Sequence, residues 1–292
     1  MIFCYNKAMT KLAIMSDLHV DLNNFGPFEI GQLKHFVQRQ QIDHLHLAGD
    51  ISNHFHTITQ PLITELRKTV PITYNLGNHD MLDLDEKAIH AMDFKVYQIG
   101  KRPLLAFHGW YDYSFYPERT EAENLAFKNT LWFDRRLKRL ASDPELTQMI
   151  LQQLNYHLTK LDDPIISMHF VPHKNFTLTH PRFKPFNAFL GSQSFHDLFT
   201  KHHVRDVVFG HAHQSFGDQM IDGVTYHSHP LGYAREWDLT IDYVSQHPQY
   251  NPTNTWNLHK RYKAVKDLTD FQDYKMAYFQ EELDHSVTFF EL

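Results

Sequence analysis

Five short stretches of this chain end in side chains that can bind metals or move protons. They are Asp17-Leu18-His19, Gly49-Asp50, Gly77-Asn78-His79-Asp80, a lone His169, and Gly210-His211-Ala212-His213. Each follows an apolar run. Carboxylates, imidazoles and a carboxamide without thiolate suit borderline cations such as manganese, iron or zinc better than calcium. Taken singly, an Asp or Asn after a strand is a turn residue or a helix cap, and a histidine pair is a solvated loop. Only the five in order carry information. Residues at i and i+2 of a strand share a face, so His211 and His213 are expected to reach into one pocket from a strand end.

In this order the stretches resemble the calcineurin-like metallophosphoesterase superfamily. Its pattern is Asp-x-His, Gly-Asp, Gly-Asn-His-Asp/Glu, a lone His, then Gly-His-x-His. Every part is present from Asp17 to His213, about two thirds of the chain. The resemblance implies two metal ions that share Asp50 as a bridge. Asp17, His19 and His213 would complete the ligands of one ion, and Asn78, His169 and His211 those of the other. His211 and His213 would then serve different ions. The resemblance also implies that His79 is no ligand but gives a proton to the leaving oxygen, with Asp80 orienting it through a hydrogen bond.

The chemistry implied is hydrolysis of a phosphate ester by a hydroxide bridging the ions, with a diester ahead of a monoester or nucleotide. Two ions a few ångströms apart lower the pKa of a water between them and neutralise the phosphoryl oxygens. The fold implied is α/β: a four-layer αββα sandwich of two mixed sheets with helices outside. After Asp50 come Ile51-Ser52-Asn53, without the arginine of phosphoprotein phosphatases or the tyrosine of purple acid phosphatases. A nuclease acting on nucleic-acid ends and a non-catalytic scaffold are the alternatives. The complete set of motif residues argues against the scaffold.

The elements that must position these residues are legible as alternating strands and helices. Strands are predicted at Lys11–Ser16, His44–Asp50, Pro71–Asp80, Phe94–Ile99, Pro103–Gly109, Pro164–Phe170 and around Val204–His213. Helices are predicted at Glu29–Gln40, Thr57–Val70, Asp83–Met92 and Gln193–His203 from apolar residues at helical spacing. Residues 111–161 interrupt the rhythm with two helices, Glu121–Leu140 and Pro144–Leu161, expected near the mouth of the site. The basic run Asp134–Leu140 is expected to be the solvated end of the first, where cations suit the helix dipole, with a phosphate-binding patch as the alternative. Asp222-Gly223 predicts a hairpin. The extension from about Trp237 to residue 292 has no clear period and stays unassigned.

Composition sets the remaining bounds. The chain has 292 residues, 42% hydrophobic and 21% charged, with a formal net charge of -6. One domain over 1–292 is expected. The acidic balance gives no general footprint for nucleic acid or anionic membrane, so a small phosphate ester is the expected partner. Cys4 stands alone, which fits a reducing compartment. With no apolar stretch long enough to span a bilayer, the expectation is a cytoplasmic protein. Met9-Thr10-Lys11 leads straight into the first strand, so Met9 is the expected working start and residues 1–8 have no evident role. His108, Tyr111 and Tyr113 in "HGWYDYSF" are candidates for the rim of the site or, equally, for core packing. Arg235 in "LGYAREW" is a candidate for an anion contact, with a solvated or structural arginine favoured. Oligomeric state is not legible.

Overall fold

Strand β1 (Lys11–Met15) has buried apolar residues on both faces, the pattern of a strand with a layer on either side. The computed structural model describes residues 9–292, so Cys4 and the expectation for residues 1–8 lie outside the described residues. After α1 (Pro27–Arg39), β2 (His44–Ala48) pairs in parallel with β1, Leu12 opposite His44. After α2 (Gln60–Leu66), β3 (Ile72–Asn75) pairs in parallel with β2. α3 (Glu86–Met92) then leads to the second sheet.

That sheet opens with the antiparallel pair β4 (Lys95–Ile99) and β5 (Arg102–Phe107). Helices α4 (Glu121–Leu131) and α5 (Asp143–Leu158) intervene before β6 (Ile165–Met168), which lies parallel to β5. α6 (Gln193–Lys201) and β7 (Asp206–Val208) follow, then the hairpin β8 (Gly217–Ile221) and β9 (Val224–Ser228). Asp222 and Gly223 both take positive φ, 49° and 84°, as a two-residue type I′ turn requires. The chain closes with α7 (Asp238–Gln246), α8 (Leu258–Val265), α9 (Thr269–His285) and β10 (Thr288–Glu291). The sheet orders are β10-β1-β2-β3 and β4-β5-β6-β7-β9-β8.

Side-chain alternation sorts the core into layers. Leu12, Ile14 and Ala48 of the first sheet meet Leu104, Ile165 and Val208 of the second. Among them Ser167 donates to Asn75 Oδ1 across the interface (2.8 Å), pairing two buried polar side chains there. Ala13, Met15, Leu45 and Leu47 face outward onto Phe36 of α1, Ile63 of α2 and Phe279 of α9. Phe107, Ile166 and Met168 face Leu154 of α5 and Phe195 of α6. Two mixed sheets flanked by helices give the αββα sandwich. Each large side chain so buried contributes roughly 1.5–3 kcal/mol.

Two expectations about elements fail. The helix from Glu121 stops at Leu131, because Trp132 turns extended (ψ 148°) and residues 133–136 form a separate 3₁₀ turn. That turn carries Asp134 into the interior, where it is 1% exposed. The basic run is therefore no helix end, although Arg135, Arg136 and Lys138 are exposed; Arg139 pairs with Glu86 (2.9 Å) and lies 4.7 Å over the Trp110 ring. The unassigned tail is ordered instead into three helices and the edge strand β10. No helix among the described residues is long and apolar enough to cross a membrane.

Candidate metal centre and cleft

All the candidate ligands lie just past strand C-termini, where sites form in parallel sheets. Asp17 and His19 follow β1, Asp50 follows β2, Asn78 follows β3, His169 follows β6, and His211 and His213 follow β7. Five of these seven have left-handed backbone: Asp17, His19, Asp50, His211 and His213, with φ from 42° to 68°. Such conformations cost of order 1–3 kcal/mol each and cluster at functional sites. They also correct the strand-based picture of the histidine pair. β7 ends at Val208 and the turn splays His211 and His213 apart, so they do not share a strand face.

The motif glycines have a steric reason. A Cβ on Gly77 would stand 2.1 Å from Asp50 Oδ1, and one on Gly210 would stand 2.2 Å from Asp17 Oδ2. The backbone of one loop is thus pressed against the carboxylate of another.

Two groups of donor atoms result. Asp17, His19, Asp50 and His213 each offer an atom within 4.8 Å of the others, and so do Asp50, His169 and His211. Asp50 belongs to both, as a bridging carboxylate must. Asn78 Oδ1 lies 3.2 Å from His169 Nε2, which brings it to the second group. Three of the four candidate histidines have their other ring nitrogen held by an acceptor behind the site, whereas His19 Nδ1 is buried without one. His213 Nδ1 meets Glu236 Oε2 (3.1 Å), His169 Nδ1 meets Ala48 O (3.2 Å) and His211 Nε2 meets Phe189 O (3.1 Å). Such outer acceptors fix tautomer and ring direction for a cation.

The electrostatics favour positive charge at the centre. Burial works against a charged His213, but hydrogen bonds to Asp17 and Glu236 push its pKa up to about 10. Burial likewise opposes a charged His169, while the charge of Asp50 carries it up to about 9. Burial opposes a charged Asp17 too, yet its bond with His213 holds it at about 2. His19 Nε2 and His213 Nε2 face each other at 2.9 Å, with His213 Nε2 3.2 Å from Asp17 Oδ1 and His19 Nε2 3.6 Å from Asp50 Oδ2. This convergence of nitrogen and carboxylate donors fits a pair of borderline metal ions.

Residues 10–215 match the family model for calcineurin-like phosphoesterases. The chain belongs to that family. It is a metal-dependent hydrolase of phosphate esters. No curated protein sequence is significantly similar to it. Among solved structures it resembles phosphopantetheinyl hydrolase from Mycobacterium tuberculosis, with 22% identity and a TM-score of 0.58 over 79% of this chain and 92% of that one. It also resembles a dimetal phosphatase from Danio rerio, with 15% identity and a TM-score of 0.43 over 75% of this chain and 86% of that one.

In this phosphoesterase His79 stands beside the candidate ligands without joining either group. Its Nδ1 is 3.0 Å from Asn53 Oδ1, and Asn53 Nδ2 donates to Asp21 Oδ2 (2.8 Å). Because the amide nitrogen is committed to Asp21, the amide oxygen must be the atom facing His79, so Nδ1 carries the proton. Nε2 is then left facing the cleft, 3.9 Å from Asp50 Oδ2 and 3.5 Å from the Tyr233 hydroxyl. The ring stacks on Phe133 at 3.8 Å.

The expected bond between Asp80 and His79 is not there. Asp80 turns back and accepts from the backbone N–H groups of Ile51 (3.0 Å), Ser52 (3.1 Å) and Gly77 (2.8 Å), stapling the second and third motif loops together. Burial and the charge of Asp50 push it up to about 7, against those three donors. Three supporting residues were missed from sequence: Asn53, Glu236 and Asp134. Asp134 accepts from Asn78 Nδ2 (2.8 Å) and Trp132 Nε1 (2.8 Å), and burial raises it to about 6.

The cleft has two arms that meet at His79, Phe133, Tyr233 and Arg235. One, of about 460 Å³, includes Asp50, Asn78, His211 and His213 and is walled by Leu131, Trp132 and Phe186. The other, of about 600 Å³, runs toward α8. Residues 131–133 thus place the helical insertion at the mouth, as expected. Arg235 stands in the cleft as well, over the Tyr233 ring at 3.9 Å and 3.2 Å from Glu236 Oε1.

His108, Tyr111 and Tyr113 do not. All three are buried and line neither arm. The His108 carbonyl is tied to the N–H groups of His169 and Phe170, and its ring turns to Asp93 (2.9 Å). Tyr111 packs on Trp110 and Phe189, and the Tyr113 hydroxyl donates to Asp143 at the start of α5. The aromatic cluster is the core of the insertion rather than its rim.

Proposed function

We propose that this phosphoesterase cleaves phosphodiesters. The observation that carries the reading is the cleft with two arms meeting at His79. A phosphorus placed there has room for a substituent on each side, whereas a monoester would use only one arm. The bridging position falls to Asp50; Asp17, His19 and His213 would hold one ion, and Asn78, His169 and His211 the other. Manganese, iron and zinc all suit this donor set. When bound, such a pair supplies nucleophile activation and neutralises phosphoryl charge.

The chain's own groups do the rest. Asn53 and Phe133 fix the His79 ring so that Nε2 addresses the leaving oxygen. Burial holds the ring's pKa below the usual imidazole value, so the anionic substrate must favour a second proton on Nε2 before the ring gives it to that oxygen. Arg235, held on the Tyr233 face, contacts the phosphoryl oxygens. The lone cysteine of the chain supports a reducing compartment, the cytoplasm.

The test is a comparison of bis(p-nitrophenyl) phosphate with p-nitrophenyl phosphate on Mn²⁺-loaded protein. A phosphopantetheinyl ester belongs in the panel because of the structural neighbour's name, and a single-stranded oligonucleotide because of the nuclease alternative. The diester should give the higher kcat/KM; a preference for the monoester would defeat the proposal.

A further inference from the structure

The larger arm of the cleft has a charge pattern that the cleavage reaction alone does not require. Acidic residues outnumber basic ones in the chain, 34 to 28. Yet among the described residues this arm is lined by Arg136, Arg235, Lys263 and Lys266, together with His259, and by no Asp or Glu. On an ordinary solvated surface of an acidic protein, cations are interspersed with carboxylates. Four cations around one cavity, of which Arg235 meets Glu236 (3.2 Å) and Lys266 meets Asp267 (3.7 Å), repel one another, a cost that an anionic ligand offsets.

Their supports show how the cations are aimed. Arg136 lies 5.0 Å over the Phe133 ring and Arg235 lies 3.9 Å over the Tyr233 ring. Phe133 and Tyr233 are the two aromatics that flank His79. Both guanidinium groups are therefore pre-positioned beside the reaction centre, and planar guanidinium suits phosphate oxygens. His259, Lys263 and Lys266 come from α8 and its C-cap. Spacings of four and three put them on one helix face. Lys263 has no ion-pair partner among the described residues, and Lys266 has only the exposed Asp267 at 3.7 Å. The opposite arm is walled by Leu131, Trp132, Leu178, Phe183, Phe186 and Leu190, and shares only Arg235. Basic side chains are thus concentrated in the α8 arm, while the carboxylates of Asp50 and Glu236 belong to the other.

We infer that the substrate carries a second phosphate group on the side that occupies the α8 arm, held by Arg136, Arg235, Lys263 and Lys266. The cavity of about 600 Å³ is large enough for that phosphate and the moiety linking it to the scissile one. The less polar part of the molecule lies in the opposite arm. This rests on the phosphodiester reading, and it favours a compact bisphosphorylated molecule over a polymer, because the basic surface ends with one helix.

The experiment titrates metal-loaded full-length protein by calorimetry with a graded series of alkane α,ω-bisphosphonates, each against its alkyl monophosphonate. These probes cannot be hydrolysed, and the spacer scans the distance between the two sites. At least one spacer should bind about tenfold more tightly than its monophosphonate, the worth of a charge-assisted contact. The gain should vanish at high ionic strength and in the K263Q/K266Q double variant, whose side chains are exposed. R136Q, on a different element, should reduce it independently. No gain at any spacer, or a gain that survives both variants, overturns the inference. An oligothymidylate that displaces the best bisphosphonate in proportion to its length overturns it in favour of a polymer. Diester cleavage without bisphosphonate preference defeats this inference alone, whereas the preference without diester cleavage defeats the proposed reaction and leaves the second anion site standing.

Discussion

Substituting Gly77 by Ala tests whether loop contact, rather than ligand identity alone, builds the metal centre. The added Cβ would lie 2.1 Å from Asp50 Oδ1 and 2.4 Å from Asp50 N, where ordinary contact begins near 3.4 Å. The carboxylate would have to withdraw by about 1 Å, several times the ±0.2 Å within which ligand distances hold. Asp50 serves both donor groups, so Gly77→Ala should lose both ions. Gly210→Ala meets Asp17 Oδ2 at 2.2 Å and Ser16 Oγ at 2.7 Å. Asp17 belongs to one group only, so this variant should lose one ion and keep the other. Overpacking should also cost each variant about 1–3 kcal/mol of stability. Gly31→Ala is the control: it meets nothing within 4 Å in α1 and should be stabilising by about 0.5–1 kcal/mol. The assay is elemental analysis after reconstitution with Mn²⁺, paired with urea unfolding of the same preparations. If Gly77→Ala held the same metal as wild type with full activity, the steric argument would be refuted.

His79→Asn should retain metal and lose about 10²–10⁴-fold in kcat, with a smaller deficit for leaving groups that depart readily as anions; a metal-depleted variant would make His79 a ligand instead. Asp134→Ala removes the acceptor that holds Asn78, so Mn²⁺ affinity at the second donor group should fall about 10–100-fold, and an unchanged binding isotherm would remove Asp134 from the site. Glu282 accepts from the N–H groups of Asp238 and Leu239 at the start of α7, and burial pushes its carboxyl up from 4.5 to about 7. Between those values the folded chain keeps a proton that the unfolded chain releases, so stability is full below pH 4.5 and declines as pH rises toward 7, by up to about 3 kcal/mol. Glu282→Gln should flatten that decline in urea unfolding, and an unaltered slope would show that the carboxyl titrates normally.

The motif residues were legible because their placement obeys local rules. A short apolar run makes a buried parallel strand, and a polar residue just past its end emerges at the edge shared by all such strands. The glycines at 77 and 210 belong to that legible set, although the carboxylates that demand them come from other loops. Asn53, Asp134 and Glu236 were not legible, because each works through a partner 26, 56 or 23 residues away. Nothing in their neighbours marks them: Asp134 sits in a basic run and Glu236 beside Arg235. Adjacency misled at Asp80, whose carboxylate turns to three backbone N–H groups while an amide from another loop takes the expected place beside His79. The stretch from His108 to Tyr113 looked like a rim because it is aromatic and follows a strand, but burial by α5 and Phe189 makes it a core. The cations of α8 lie in a tail without a readable period, and they became part of the cleft only when α9 and β10 tied that tail to the first sheet. Local sequence determines where a strand ends and which polar residue follows it, but the left-handed backbone that aims His211 and His213 does not follow from strand alternation. Which side chains meet across the cleft depends on how two sheets and their outer helices pack, a sum over contacts distant in the chain that no window of sequence contains.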